Sequence, residues 1–278
     1  MVGIKYIFVI SFLITSCTAQ ADPFKWVDTI PDPWLLSETE FEFYLPQFHE
    51  RFPNYHDRMK ALNLWRVGTP YGLFCLGEES GIDTDPLLRT DSSDCTVHVL
   101  TTIAFAESYT WQNARDAMVD IHYKMDEKGE KRPTYKSRWH YTSDRLLHHE
   151  RTVDITSTVA SENELEKVEI ELNKKQDGSE FLDLNWSSNE TIQFIPTVNI
   201  TENILLNLPV VSGVAFVKKS YFKMGIVIAH EGYLIDQTNL IHASSEHNKT
   251  VNVDFLSYLF NDGEPRFDGV MFYKINPI

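Results

Sequence analysis

A polar cluster followed by a long apolar run, at residues 92–106, is the feature that most constrains this chain. The stretch opens with Ser92-Ser93-Asp94-Cys95-Thr96 and stays largely apolar to Ala106, which predicts a buried helix. Ser93 or Asp94 would cap the helix by accepting hydrogen bonds from its free first-turn amides, which places Cys95 at the first helical position. The helix dipole stabilises a thiolate there, so Cys95 is a candidate nucleophile. The alternative is a core cysteine, because free cysteine is among the most buried residue types.

The overall charge narrows the classes of partner. The 278 residues include 25 Lys and Arg against 40 Asp and Glu, a formal net charge of -15. This balance argues against nucleic acid as a partner, because such binding needs clustered cations that displace counterions. It also argues against electrostatic attraction to anionic lipid. An anionic substrate stays open, because a basic subsite can lie inside an acidic protein.

The first 21 residues are predicted to be a signal peptide. A short basic start is followed by the apolar run YIFVISFLI at residues 6–14, which is too short to span a bilayer. Ala19-Gln20-Ala21 fits a signal-peptidase site. Alternatively, Ile14-Thr15-Ser16-Cys17 resembles a bacterial lipobox, in which Cys17 would carry a lipid as the only membrane attachment. Once Cys17 is removed or acylated, Cys75 and Cys95 remain, and in an oxidising compartment they would be able to form a disulfide.

The order of predicted elements indicates an α+β fold in a single domain at residues 22–278. Residues 22–66 form a helical lead-in, with a helix after Pro53, and residues 114–123 form a helix after the Cys95 helix. Residues 157–190 are interpreted as a peripheral excursion, with an exposed strand where Glu169 and Glu171 alternate with apolar residues. The last third contains short β-branched runs broken by turns, which predict an antiparallel meander. These strands are expected at residues 211–218, 225–230, 239–243, 250–253 and 270–275, with a short helix at 254–260.

No nucleophile elbow, phosphate-binding loop, zinc motif or dinucleotide fingerprint is found. A series of short blocks over residues 60–275 nevertheless resembles the DUF1460 family of bacterial amidases, a branch of the NlpC/P60 cysteine peptidase superfamily. The blocks are Gly68-Thr69-Pro70-Tyr71, Leu76-Gly77-Glu78, Asp85-Pro86-Leu87, Asp94-Cys95-Thr96, Ser137-Arg138-Trp139-His140-Tyr141-Thr142-Ser143-Asp144, Val153-Asp154-Ile155-Thr156, Gly225-Ile226-Val227-Ile228, Leu240-Ile241-His242-Ala243-Ser244-Ser245 and Leu256-Ser257-Tyr258-Leu259.

The resemblance implies a papain-like α+β fold, in which a helix bearing the cysteine packs on a small antiparallel sheet bearing the base. It also implies cleavage of the amide between N-acetylmuramic acid and L-alanine in peptidoglycan fragments, with a preference for anhydro-muropeptides. No cofactor or metal is expected. Export to the periplasm, or to the outer membrane as a lipoprotein, suits such a substrate, and a monomer is expected.

The catalytic residues are carried over by position. Cys95 matches the nucleophile, and His242 matches the polar residue that orients the catalytic histidine in the superfamily. That histidine normally stands two residues before a glycine, a position that Lys223 occupies in Lys223-Met224-Gly225-Ile226. Either Lys223 replaces the base, or the register is wrong and His230 or His242 serves, or the protein is altered or inactive. His98, one helical turn from Cys95, is a further candidate base, with a packed histidine as its alternative.

The substrate-binding candidates lie in three blocks. Arg138, His140 and Tyr141 match the family's Arg-x-His-Tyr, and Arg138 would pair with a substrate carboxylate through its planar fork. The alternative is a scaffold arginine paired with Asp144 or Asp154. Glu78 and Tyr71 precede the Cys95 helix and would line the cleft, or only pack the loop. Three functions therefore compete: a muropeptide amidase, a disabled relative that binds muropeptides without cutting them, and an amidase for another substrate.

Overall fold

A computed structural model describes residues 22–277, and the predicted signal peptide and Cys17 lie outside these described residues. Helices dominate the first half of the chain. The α-helices are α1 (Glu38–Arg51), α2 (Tyr55–Trp65), α3 (Cys95–Glu107), α4 (Trp111–His122), α5 (Thr142–His148), α6 (Thr156–Val159), α7 (Glu202–Leu206) and α8 (Phe255–Leu259). Short 3₁₀ helices lie at Pro23–Thr29, Pro33–Leu35, Tyr135–Ser137, Glu162–Glu164, Thr197–Asn199 and Lys219–Met224.

Strands dominate the second half. They are β1 (Thr152–Asp154), β2 (Glu166–Leu172), β3 (Ser188–Pro196), β4 (Val211–Val217), β5 (Ile228–Ile235), β6 (Asn239–Ser244), β7 (Lys249–Asp254), β8 (Phe260–Asn261), β9 (Glu264–Pro265) and β10 (Gly269–Ile275). The main sheet runs β2-β3-β10-β4-β5-β6-β7, with β1 paired to β10, and β8 and β9 form a separate hairpin. Every pair is antiparallel. The α+β class predicted from the sequence is confirmed.

Side-chain caps fix where the main helices begin. Ser37 and Glu40 form a capping box at α1, and the Asn54 side chain accepts from two first-turn amides of α2. Asp94 caps α3, and Thr110 caps α4. Each cap satisfies amides that have no partner within the helix, so these helix starts are set locally.

Helix α3 lies at the centre of the molecule. Every residue from Val97 to Ala106 is buried, because α2 and α4 pack on one side of the helix while β5 and β6 pack on the other. The sheet separates two apolar clusters, as side chains alternate along each strand. Along β4, Ala215 and Val217 join the cluster on the α3 side, whereas Val214 and Phe216 join the cluster with α7 and α8.

The predicted strands mostly agree with the structure, including the exposed strand expected around Glu169 and Glu171, and one of them differs. Residues 225–230 do not form one strand, because Gly225 ends the 3₁₀ helix Lys219–Met224 in a left-handed conformation (φ 71°) and β5 begins only at Ile228. The predicted excursion at residues 157–190 supplies β2, which pairs with β3 along its whole length. The loop after β2 also brings Phe181 and Leu182 to the central cavity described below.

Candidate active site

A cavity of about 1010 Å³ opens at the N-terminus of α3. Its walls come from the start of α3, the ends of β5 and β6, the loop at residues 71–76, the segment at residues 135–143, and α8 with the hairpin that follows it. Cys95, His230 and His242 all line this cavity. Its size is that of a small-molecule or peptide site.

Asp94 fixes the approach to the cysteine. Its Oδ1 accepts a hydrogen bond from the Val97 amide at 2.9 Å, and its Oδ2 accepts one from the Phe74 amide at 2.9 Å. One carboxylate therefore holds both the start of α3 and the loop that forms a cavity wall. Cys95 follows as the first helical residue and is partly exposed to the cavity.

Two histidines on neighbouring strands form a pair in the cavity that Cys95 also lines. His230 Nε2 and His242 Nδ1 lie 2.8 Å apart, a hydrogen bond in which one of the two nitrogens donates. Among the described residues, His230 Nδ1 makes no other hydrogen bond. The His230 ring stacks on Phe216, and the His242 ring lies 4.5 Å from the Tyr258 ring. A β-bulge between Phe216 and Val217 interrupts the β4–β5 register next to His230, and bulges of this kind redirect side chains near active sites.

The three groups are neutral in this arrangement. Burial, followed by the nearby Asp94 and Glu231, raises the pKa of the Cys95 thiol to about 12. Burial and His242 lower the pKa of His230 to about 3, and burial lowers the pKa of His242 to about 4. The first-turn amides of α3 act in the opposite direction on the thiol, but desolvation is the larger influence. The chemistry open to this site is therefore attack by a thiol that passes its proton to a neutral imidazole.

The buried carboxylate of Glu231 joins its own strand, β5, to α3, α5 and β10. Glu231 is fully buried and receives hydrogen bonds from Thr96 in α3, Thr142 and Arg145 in α5, and Tyr273 in β10. The Arg145 Nη2 to Glu231 Oε2 distance is 2.5 Å. Because Thr96 follows Cys95 and Glu231 follows His230, this network holds the two catalytic candidates at a fixed separation.

Lys223 does not reach this site. It lies in the 3₁₀ helix Lys219–Met224, its side chain is exposed, and it is not among the residues that line the cavity. Its backbone carbonyl accepts a hydrogen bond from the Gln176 amide. Lys223 is therefore not brought together with Cys95, whereas the alternative candidate bases His230 and His242 both line the cavity.

The two glycines that follow candidate bases have different structural roles. A Cβ on Gly225 would lie 2.4 Å from the Lys174 amide nitrogen, so this glycine serves a tight turn against another loop. A Cβ on Gly232 would lie 2.9 Å from the His242 Cβ, so this glycine permits the close approach of β5 and β6. The histidine two residues before Gly232 is His230. The spacing His230-Glu231-Gly232 is the signal in the sequence that would have identified it.

Arg138 lines the cavity but is already paired. Its Nε donates to Glu78 Oε1 at 2.8 Å, and its Nη2 donates to Asp83 Oδ2 at 2.9 Å. The proposed scaffold partners differ from these, because Asp144 binds Lys124 and Asp154 accepts from Thr156. Glu78 is buried as the partner of Arg138 and does not line the cavity, which contradicts its predicted place in the cleft wall.

The other predicted binding residues are His140, Tyr141 and Tyr71. The first two already have hydrogen-bond partners. His140 Nε2 bonds to the Tyr135 carbonyl oxygen at 2.6 Å, and the buried Tyr141 donates to Asn173 Oδ1 at 2.6 Å. Both residues line the cavity, as does Tyr71. Burial, followed by the nearby Cys95, raises the pKa of Tyr71, and both side chains line the cavity.

The structure bears on two alternatives that the sequence left open: the role of His98 and the state of Cys75 and Cys95. His98 is fully buried with its Nε2 3.0 Å from Asn63 Oδ1, so it is a packed histidine and not a base. Cys75 and Cys95 are both free thiols, and both line the cavity. Tyr258, Lys218 and Arg266 also line it, and sequence reasoning did not select them as binding residues.

Two features are absent from residues 22–277, a metal-binding cluster and a membrane-spanning helix. No group of three or more His, Cys, Asp or Glu side chains in this range is arranged to hold a metal ion. In the same range, no helix has the length and apolar character needed to cross a bilayer.

Comparison with known proteins shows a match to one protein family. The pattern of the AmiA-like family, described as N-acetylmuramoyl-L-alanine amidase-like, matches residues 63–264. The chain has no match among curated protein sequences.

Solved structures share the fold at low identity. A Legionella pneumophila protein of the DUF1460 family aligns with a TM-score of 0.69 at 19% identity, covering 86% of this chain and 94% of its own. An N-acetylmuramoyl-L-alanine amidase from Bacteroides uniformis aligns with a TM-score of 0.59 at 17% identity, covering 80% and 99%. A putative xylanase from Bacteroides fragilis aligns with a TM-score of 0.58 at 19% identity, covering 77% and 99%. The family match spans more than half of the chain, and the predicted DUF1460 resemblance is confirmed. The chain therefore belongs to the AmiA-like, DUF1460-type family of N-acetylmuramoyl-L-alanine amidase-like proteins.

Proposed function

We propose that this protein is a cysteine amidase that hydrolyses the bond between N-acetylmuramic acid and L-alanine in peptidoglycan fragments, with anhydro-muropeptides as preferred substrates. The observation that carries the proposal is the juxtaposition of Cys95, at the start of α3, with the His230–His242 pair in one cavity. A family relationship to amidases agrees with that chemistry.

The first step is attack of Cys95 Sγ on the lactyl carbonyl carbon. When His230 Nε2–H donates to His242 Nδ1, the lone pair of His230 Nδ1 is free to accept the thiol proton. His242 is then the positioning residue that selects this tautomer. The Cys95 amide is at the first position of α3, where helical amides have no partner within the helix, so it is placed to donate to the developing oxyanion.

The second step releases the peptide and then the sugar. His230 returns its proton to the alanine nitrogen as the carbon–nitrogen bond breaks, which leaves a thioester on Cys95. Water, deprotonated by His230, attacks the thioester and regenerates the thiol. Because burial keeps Cys95 as a thiol, its proton passes to His230 as the carbon–sulfur bond forms.

The disabled-binder alternative loses its main support. It depended on Lys223 at the position of the base, and Lys223 is exposed outside the cavity while His230 lies inside it. We further propose the NlpC/P60 superfamily and a papain-like fold for this chain, and a working location in the periplasm or outer membrane after export. These follow from the helix–strand order and the apolar start of the chain.

The test is product analysis with an anhydro-disaccharide tetrapeptide as substrate. Wild-type protein is expected to release free tetrapeptide, and Cys95→Ala none. His230→Ala is expected to lose about 10²- to 10⁴-fold in rate, the usual contribution of a general base. Lys223→Ala is the matched control, because it removes the competing candidate base from an exposed position.

Two results would contradict the proposal. One is product from Cys95→Ala at the wild-type rate, which would exclude the thiol as nucleophile. The other is a larger loss in Lys223→Ala than in His230→Ala, which would restore the original register. Release of a shorter peptide with the L-alanine left on the sugar would redirect the function to an endopeptidase.

A further inference from the structure

We propose that Arg266 and Lys218 form a carboxylate-binding subsite for the peptide part of the ligand, and that Arg138 does not serve this purpose. The inference rests on the proposed function for the identity of the ligand. Both cations line the same cavity as Cys95.

Arg138 is excluded by its partners. It is bound to Glu78 and Asp83, and the side chains of Arg138 and Glu78 are only 12% and 2% exposed. The Arg138 guanidinium is therefore already paired with two carboxylates. Removing Arg138 from Glu78 to bind a ligand would leave a buried carboxylate unpaired, which is strongly unfavourable.

Arg266 is in the opposite situation. Its Nη1 makes a single contact with Glu246 Oε2 at 3.1 Å, and the two side chains are 32% and 66% exposed. Exposed pairs of this kind contribute little stability, so a ligand carboxylate can displace Glu246. Arg266 Nε is buried without a hydrogen-bond partner among the described residues, so this arginine has an unused donor.

Lys218 adds a second cation. Its Nζ donates to the backbone carbonyl oxygen of Arg266 at 3.0 Å. Among the described residues, no carboxylate lies within ion-pair distance of this ammonium group. The Arg266–Lys218 end of the cavity therefore carries two cations against one exposed carboxylate, in a protein whose formal net charge is -15.

The subsite lies near the catalytic pair. The Arg266 guanidinium stacks 4.9 Å from the Tyr258 ring, and that ring lies 4.5 Å from the His242 ring. Extended peptide advances about 3.3–3.6 Å per residue, so a carboxylate two or three residues from the scissile amide would reach Arg266. A guanidinium binds a carboxylate through two parallel hydrogen bonds, which makes the contact selective for that group over a neutral amide.

The experiment compares two muramoyl dipeptides that differ in one group. One has a free carboxylate on the residue after L-alanine, and the other has a carboxamide there. Binding is measured by calorimetry with the Cys95→Ala protein, which cannot turn the ligands over. We expect the acid to bind at least tenfold more tightly than the amide. Arg266→Gln in that background should weaken the acid about ten- to hundredfold and leave the amide within about twofold.

A matched control separates the subsite from general charge. Lys219→Gln removes the neighbouring cation, which pairs with Glu166 and does not line the cavity, and should preserve the preference for the acid. Lys218→Gln should reduce it. Thermal unfolding of each variant reports whether the fold is intact.

Each remaining outcome decides the matter. Equal binding of acid and amide, or a preference that survives Arg266→Gln, would overturn the subsite. If neither ligand binds, both the subsite and the proposed substrate are overturned. Binding that depends on Arg266, together with no hydrolysis by the wild-type protein, would leave the subsite standing and overturn only the amidase.

Discussion

Each end of the cavity has an arginine near an aromatic ring, but the two arginines differ in the burial of their carboxylate partners. At one end, Arg138 lies near the aromatic ring of Tyr135 and is paired with the buried Glu78. At the other, Arg266 lies on Tyr258 and is paired only with the exposed Glu246. The difference shows that the burial of its partner, and not the type of residue, decides whether a cation is available to a ligand.

The largest effect is expected from Glu78→Gln, which tests whether the Arg138 end of the cavity is structural. If the Arg138 end is structural, the substitution leaves a largely buried guanidinium with only Asp83 as a charged partner, and the free energy of unfolding should fall by about 3 kcal/mol. Urea unfolding followed by circular dichroism measures the change. Asp85→Asn is the control, because Asp85 makes only a long, exposed contact with Arg89. A change below about 1 kcal/mol in Glu78→Gln would mean that Arg138 is free to bind a ligand after all.

The second prediction concerns protonation, because a half-buried histidine lies at each end of the cavity. Burial lowers the pKa of His230 to about 3 and of His140 to about 4, against about 6.5 in the unfolded chain. The unfolded state therefore binds more protons below pH 6.5, so stability is full above that pH and is lost as the pH falls towards 4. Each such histidine contributes about 1.4 kcal/mol per pH unit in that window.

Substitution tests the two contributions separately. His230→Asn at the Arg266 end and His140→Asn at the Arg138 end should each flatten the dependence of the unfolding free energy on pH between 6.5 and 4.5. The measurement is urea unfolding at several pH values. An unchanged slope in both variants would show that these histidines are already protonated in the folded protein.

The smallest expected effect comes from Glu246→Gln. Because the Arg266–Glu246 pair is exposed, the unfolding free energy should change by no more than about 0.5 kcal/mol. The acid ligand should bind about two- to fivefold more tightly, since it no longer competes with Glu246. Calorimetry with the Cys95→Ala background measures this, and weaker binding would mean that Glu246 itself contacts the ligand.

Local features of the sequence were sufficient for most elements. The capped helix at Cys95, the helix after Pro53 and the strands of the last third follow from hydrophobic spacing and from capping residues, which act within a few positions of the chain. Residues 225–230 were mispredicted as one strand, because an apolar run with one glycine does not distinguish a turn glycine from a strand glycine. The assignment of Lys223 to the position of the base depended on that glycine, and His230 stands at the same spacing before Gly232.

The sequence by itself therefore determined the α+β class, the helix that begins at Cys95 and the family resemblance, because these depend on short-range pattern and motif order. Only the tertiary structure decided which histidines line a cavity with Cys95 and which arginine has an unused donor. Both depend on contacts between positions far apart in the chain, such as Arg138 with Glu78 and Cys95 with the strands that carry His230 and His242. Burial, which sets the strength of each charge pair and the pKa of each histidine, is a property of the packed molecule and not of any one segment.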